Sequence, residues 1–422
     1  MQTMANSNKR KAAMTFIGVF VALVADGMDL QILSVSLPSL MQDLHLSKVM
    51  AGSLATWTLV GMGAGGILAG WMSDRIGRVK VLAGALFLFS FCTLVLAFTN
   101  SYWQFIVMRC ISGFGLGAVY VVGNMLAAEF VSTERRTTIL ATLQAGWSVG
   151  YVVAAILSAH ILPDYGWRPM FMAAALPGLA SFWMLRYLTD SPSWLESRKI
   201  KEVKKENEFA IIWSDKKIRR TFLLWAAACV IYLFGYYGAA TWLPSYIVKD
   251  LGVDLKSMGF YIAGTYTAMI LGKVISGLLA DKFGRRAMFT FGVFSTALIM
   301  PFLVKYATPD SVAYLLMIFG LFYGIPTGIQ ATYMAESFPT NVRGTAVGTS
   351  FNLGRIGSFI SPIFIGAIAT QHSVGAGIAL LGVAYGIVGV ITAFFIYEKM
   401  YDPKKVTASF AELPEGSTPK GV

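Results

Sequence analysis

Long apolar runs, separated by short clusters of turn-forming and charged residues, organise this chain from end to end. They fall at about 14 to 40, 49 to 72, 79 to 98, 102 to 128, 138 to 160, 168 to 188, 221 to 247, 257 to 280, 287 to 305, 311 to 334, 345 to 370 and 374 to 397. An α-helix needs roughly 20 predominantly apolar residues to cross hydrocarbon, so each run is read as one span. The one long polar stretch, rich in Lys and Glu, divides the twelve runs into equal sets. The pattern predicts an all-α membrane protein with twelve transmembrane helices in two six-helix bundles. The expected units are a first bundle over 1–190, a linker over 191–220, a second bundle over 221–400 and a tail over 401–422. The first run follows Lys9-Arg10-Lys11 as a secretory signal would, but its length marks a retained span.

Composition agrees with burial in lipid. Of 422 residues 56% are apolar and 13% charged, which excludes a soluble enzyme, a disordered chain and a disulfide scaffold. A net charge of +12 suggests nucleic acid in a soluble domain; here the distribution matters instead. With the N-terminus inside, 26 of the 34 Lys and Arg fall in segments on its side and five on the other. Basic residues stay in the cytoplasm, so both termini are expected there, in a multi-pass protein of the cell inner membrane with lipid, not nucleic acid, around it. Trp103, Trp167 and Trp242 fall at expected outer ends, where an amphipathic ring suits the lipid interface. Cys92, Cys110 and Cys229 lie inside apolar runs, and His45, His160 and His372 are scattered without ligand spacing. Neither set predicts a metal site. Gly61-Met-Gly63-Ala-Gly-Gly66 has dinucleotide-loop spacing, but no strand precedes it, so a packing face is expected.

The halves are copies. Gly70-Trp-Met-Ser-Asp74-Arg75-Ile-Gly77-Arg78 aligns with Gly277-Leu-Leu-Ala-Asp281-Lys-Phe-Gly284-Arg285 at an offset of 207, and the same offset carries Glu129 onto Glu336 and Arg136 onto Arg343. Leu37-Pro38-Ser39 matches Leu243-Pro244-Ser245 at an offset of 206. Parallel repeats place a substrate site near mid-membrane between the halves.

These motifs and the duplicated twelve-span layout resemble the major facilitator superfamily along nearly the whole chain. Asp26-Gly-Met-Asp29 in the first span resembles the D-G-x-D pattern of aromatic-acid:proton symporters. Leu33 to Leu40, Thr142 to Tyr151 and Glu336-Ser-Phe-Pro-Thr-Asn-Val-Arg343-Gly resemble cis,cis-muconate transporters within that group. The resemblance implies alternating access, proton coupling through Asp26 and Asp29, and an organic carboxylate as substrate. Val79 before Lys80, and Ser132 in place of the second half's Pro339, depart from the family pattern in the loops.

Within spans only Asp26, Asp29, Arg109, Lys273 and Arg355 are charged. An ionisable group in hydrocarbon costs on the order of 3 kcal/mol on lenient insertion scales, so such a cluster marks function unless its members pair to hold the bundle together. Asp26 and Asp29 share a helix face, where two adjacent carboxylates resist joint ionisation; both are assigned to proton coupling. Arg109, Gly113, Gly117, Tyr120 and Asn124 fall within about 80° of one another on a helix. The expected substrate-lining set is Arg109, Asn124, Gln144, Tyr236, Tyr266, Lys273, Gln330 and Arg355. Stripes such as Gln144, Trp147, Ser148 and Tyr151 also suit ordinary interhelical bonding. The inner gate is assigned to Asp74, Arg75, Arg78, Glu129, Arg136, Asp281, Arg285, Glu336 and Arg343, whose cations also retain the loops inside. The expectation is a monomeric, non-enzymatic symporter for an organic anion such as cis,cis-muconate, benzoate or hydroxybenzoate. It has no cofactor beyond the coupling proton and no metal. A proton-driven drug efflux antiporter is the alternative, disfavoured by three intramembrane cations.

Overall fold

A computed structural model describes residues 2–130, 136–190, 208–339 and 342–397. The first half comprises α1 (Gln2–Asp43), α2 (Lys48–Ile76), α3 (Arg78–Leu96), α4 (Tyr102–Phe130), α5 (Arg136–Tyr165), α6 (Arg168–Ala175) and α7 (Ala180–Tyr187). After the short α8 (Glu208–Ser214), the second comprises α9 (Lys216–Ser245), α10 (Leu255–Phe283), α11 (Arg285–Tyr306), α12 (Val312–Glu336), α13 (Arg343–Gln371) and α14 (Val374–Phe394). Among the described residues, 11 helices are long and apolar enough to cross a bilayer.

The sixth predicted span differs. Over 168–188 the chain forms not one helix but α6 and α7, joined by a 3₁₀ turn at Leu176–Leu179. Pro177 withholds a backbone donor there, and a Cβ on Gly178 would stand 2.5 Å from that of Ser90 on α3. α1 also begins earlier than its apolar run, because helical hydrogen bonding between backbone groups continues into the polar residues ahead of it.

In the first half α1 packs on α5, and α2 and α3 on α4; in the second α9 packs on α13, and α10 and α11 on α12. The 207 offset reaches backbone packing: a Cβ on Gly65 would stand 2.1 Å from the Phe114 carbonyl oxygen, and one on its copy Gly272 2.1 Å from that of Leu321. The halves meet along α2·α13, α5·α10 and α1·α9. The first two seams are one contact seen twice, with the halves exchanged, as a pseudo-two-fold axis requires.

Both seams close tightly at the end bearing residues 44–47 and 251–254, called the far end; the opposite one is the linker end. A Cβ on Gly52 would stand 2.2 Å from the Pro362 oxygen, and on its copy Gly259 2.8 Å from the Ala155 oxygen. Thr56 Oγ1 donates to the Phe359 carbonyl at 2.7 Å, and Lys48 Nζ donates to that of Ala369. Ser34 Oγ bridges α1 to the carbonyls of Ala240 and Thr241 at 2.5 and 2.8 Å.

At the linker end, Gly77 and Gly284 turn α2 into α3 and α10 into α11 with φ of 110° and 95°, a left-handed geometry that glycine alone adopts without strain. Asp190 Oδ1 accepts from the Val79 amide at 2.8 Å, satisfying one of the open donors at the start of α3. The outward faces of the long helices are apolar, with Ile67 and Leu278 each 71% exposed. Of the three tryptophans expected at the lipid interface only Trp103 is exposed; Trp167 and Trp242 are buried. Their indole N–H groups donate to Asp43 and to the Pro362 carbonyl, because neighbouring helices cover both positions.

Candidate functional site

The five intramembrane charges separate into a closed pair and three groups near the seams. Arg109 Nη1 on α4 donates to Asp29 Oδ2 on α1 at 2.7 Å, with both side chains fully buried. Thr93 of α3 donates to the other Asp29 oxygen. Phe171 and Phe105 ring the guanidinium at 5.1 and 5.8 Å. A charge pair this dry holds only because its partners match. Arg109, expected to line the substrate path, is thus committed to Asp29 inside the first half.

Asp26 lies about 60° around α1 from Asp29 and behaves differently. It is fully buried; among the described residues the Trp147 indole of α5 is a donor directed at its carboxyl group, short of regular hydrogen-bond geometry, and neither oxygen has a full hydrogen bond. Arg355 on α13, across the interface, lies within its electrostatic reach. That arginine is 7% exposed, and its Nε is likewise buried without a partner among the described residues. Opposite charges with open hydrogen-bonding atoms in a dry interior are expensive to maintain.

Aromatic rings from both halves pack around this level. Trp147 and Tyr151 of α5 lie 4.5 Å apart; Tyr151 meets Tyr266 of α10 edge-on at 4.6 Å, and Trp147 faces Tyr236 of α9 at 6.3 Å. Tyr236 stacks on Tyr323 of α12 at 5.0 Å, and the Tyr323 hydroxyl donates to the Tyr236 carbonyl at 2.7 Å. Lys273 of α10 donates to Ser148 Oγ of α5 at 2.8 Å, tying the halves together. A cavity of about 20 Å³, lined by Gln31, Ser34, Thr58, Tyr151 and Tyr237 among others, lies beside the rings between α1, α2, α5 and α9. It has room for about one water.

The other expected lining residues are less central. Asn124 Nδ2 donates to the Tyr120 carbonyl one turn back, and Gln330 Nε2 to Cys229 Sγ within the second half. At the linker end, Arg285 pairs with Glu336 at 3.3 Å, again within the second half. Arg343 donates to the Phe338 carbonyl, Arg78 to Met125 Sδ, and Arg75 stacks on Trp71 at 3.9 Å. The side chains of Asp74, Glu129, Arg136, Gln144 and Asp281 lie outside the described residues. Thr93, Phe171 and Tyr237 escaped sequence reasoning. A lone threonine or phenylalanine in an apolar run gives no signal, whereas the Tyr236-Tyr237 pair, two hydroxyls inside a span, was a usable one.

The family model described as Major Facilitator Superfamily matches residues 19–362 and, in a second overlapping match, 265–420. The cis,cis-muconate transport protein of Acinetobacter baylyi is 47% identical over 394 residues, covering 92% of this chain and 95% of that protein. The benzoate transport protein of the same organism is 25% identical, covering 91% and 90%. Among solved structures, a D-xylose–proton symporter superposes with a TM-score of 0.75 at 19% identity, covering 91% of this chain and 98% of that one, a likeness of fold alone. The relatives are transporters, not enzymes. This chain, too, is a multi-pass membrane transporter and belongs to the Major Facilitator Superfamily.

Proposed function

We propose that the chain is a proton-coupled symporter that imports an organic carboxylate, cis,cis-muconate or an aromatic acid such as benzoate or hydroxybenzoate, by alternating access. The observation that carries this reading is the pair Asp26 and Arg355, buried on opposite halves beside the aromatic cluster, with both Asp26 oxygens short of a full hydrogen bond and Arg355 Nε without one among the described residues. Arg355 offers a planar fork of donors to a carboxylate. Once an anion occupies that fork, Asp26 loses the benefit of the neighbouring cation, and taking up a proton removes its charge from the dry interior. Anion and proton then share one cavity and travel together. The high identity to a muconate transporter supports the substrate class. The protein works as a monomer in the inner membrane, its linker end and both termini in the cytoplasm, as the charge asymmetry favours.

Uptake of labelled muconate and benzoate into proteoliposomes, with and without an inward proton gradient, tests the reading. Accumulation against the substrate gradient, abolished by a protonophore, is expected. Uptake indifferent to the gradient, or proton-driven export of cationic drugs, overturns it.

A further inference from the structure

The 207 offset also relates the two second-half cations to each other's seams. It carries Gly66 onto Lys273 and Ser148 onto Arg355. The α5·α10 seam therefore sets Lys273 against Ser148, joined at 2.8 Å. Arg355 stands on α13, which packs on α2 in the matching seam, and its charge reaches Asp26 of α1 and Tyr237 of α9. One cation stands on each flank of the interface, at equal depth, and both come from the second half. Lys273 has a neutral partner in Ser148; the copy of Lys273 in the first half is a glycine, which offers no side chain, and Arg355 Nε stays unsatisfied among the described residues.

Between the flanks lie rings. Tyr266 sits two turns from Lys273 on the same face of α10, and Trp147 adjoins Ser148 in sequence and packs on Tyr151. The charges sum to a definite requirement. Arg109 and Asp29 cancel within their own pair, leaving Lys273, Arg355 and Asp26. With a proton on Asp26 the two cations remain, and a dianion neutralises both. A monoanion leaves one of them uncompensated in a dry site.

We propose that Lys273 and Arg355 are the two ends of a clamp for a linear dicarboxylate dianion. One carboxylate displaces Ser148 from Lys273, the other takes the Arg355 fork, and the apolar middle of the molecule lies against the aromatic rings. The clamp rests on the reading of the chain as a carboxylate symporter, and within that reading it makes Lys273 the residue that distinguishes dianions from monoanions.

Competitive uptake of labelled cis,cis-muconate and benzoate is measured under one inward proton gradient, in proteoliposomes of the full-length wild type, Lys273→Gln and Ser148→Ala. The wild type is expected to prefer muconate. Lys273→Gln should weaken muconate affinity about 30-fold and invert the ranking in favour of benzoate. Ser148→Ala removes the competing acceptor, so muconate affinity should rise about 5-fold. Equal loss of both substrates in Lys273→Gln, or weaker muconate binding in Ser148→Ala, overturns the clamp and leaves Lys273 a tie between α5 and α10. If Lys273→Gln does not fold, Ser148→Ala decides alone. A wild type that prefers benzoate overturns the clamp while symport stands. One that moves neither substrate overturns symport, and the clamp with it.

Discussion

Asp26 and Asp29 are the same residue type three positions apart, yet the helix hands them opposite tasks. Asp29 has a donor on each oxygen, from Arg109 and Thr93; among the described residues Asp26 has a full hydrogen bond on neither, only the approach of the Trp147 indole. Asp26→Asn is therefore expected to abolish proton-driven accumulation while substrate exchange persists, as counterflow in proteoliposomes would show. Asp29→Asn should instead strand Arg109, lowering stability by about 3 to 5 kcal/mol. Adding Arg109→Gln should restore much of that loss, because the buried charge goes with its partner; thermal unfolding of the purified single and double variants checks it. The sequence made the five charges legible, since hydrocarbon tolerates few. It did not reveal which of them pair, because the helical period shows a shared face but not whether a 60° difference points one acid at α4 and the other across the interface. Arg109 has the chemistry of a substrate ligand in the sequence, and only the fold shows that Asp29 takes it.

Approximate helix limits were readable from run length, the divided sixth span excepted, and the Gly77 and Gly284 turns from the repeated motif. Which helix covers a given tryptophan was not, because coverage depends on a neighbour distant in sequence. Close helix contacts invite wedges. Gly52→Leu or Gly259→Leu cannot fit against the Pro362 or Ala155 carbonyl and should force the far-end seams apart. The expected readout is faster labelling of a cysteine placed at Thr56, with import slowed; unchanged labelling would show that the seams tolerate bulk. A second test concerns Asp254, exposed between spans, whose side chain accepts from the Ser257 amide and caps α10. Bonding to Ser257 holds its carboxyl below the usual range. A lowered folded-state value means that the cap's contribution is complete above the unfolded value, near pH 4, and is lost as pH falls through the folded one. Asp254→Ala should remove about 1 kcal/mol of local stability at neutral pH. Amide exchange at the start of α10 should quicken accordingly, and in the wild type should do so only in acid.

At the scale of the molecule, a duplicated chain has kept its packing symmetric and its charges asymmetric: the glycine contacts recur at the 207 offset, while the mid-span seam cations Lys273 and Arg355 occur in the second half and the acid Asp26 in the first. The duplication was legible in two motifs sharing one offset, and the seams became visible only when helices far apart in sequence met. If rocking about those seams drives transport, linking cysteines at Thr56 and Phe359 with a short reagent should stop uptake, and cleaving the linker should restore it. The divided sixth span carries a consequence for how the protein is made. Neither eight-residue half, about 12 Å of helix at 1.5 Å per residue, reaches across hydrocarbon alone. The start of α6 is fastened from outside itself: Arg168 donates to Asp43 at 2.7 Å and to Asn100 at 3.1 Å, both from earlier parts of the chain. The sixth span is therefore expected to settle late in biogenesis, once earlier helices can receive it, and damage at Asp43 or Asn100 should show first as misinserted nascent chains in a glycosylation-mapping assay, before any defect in transport.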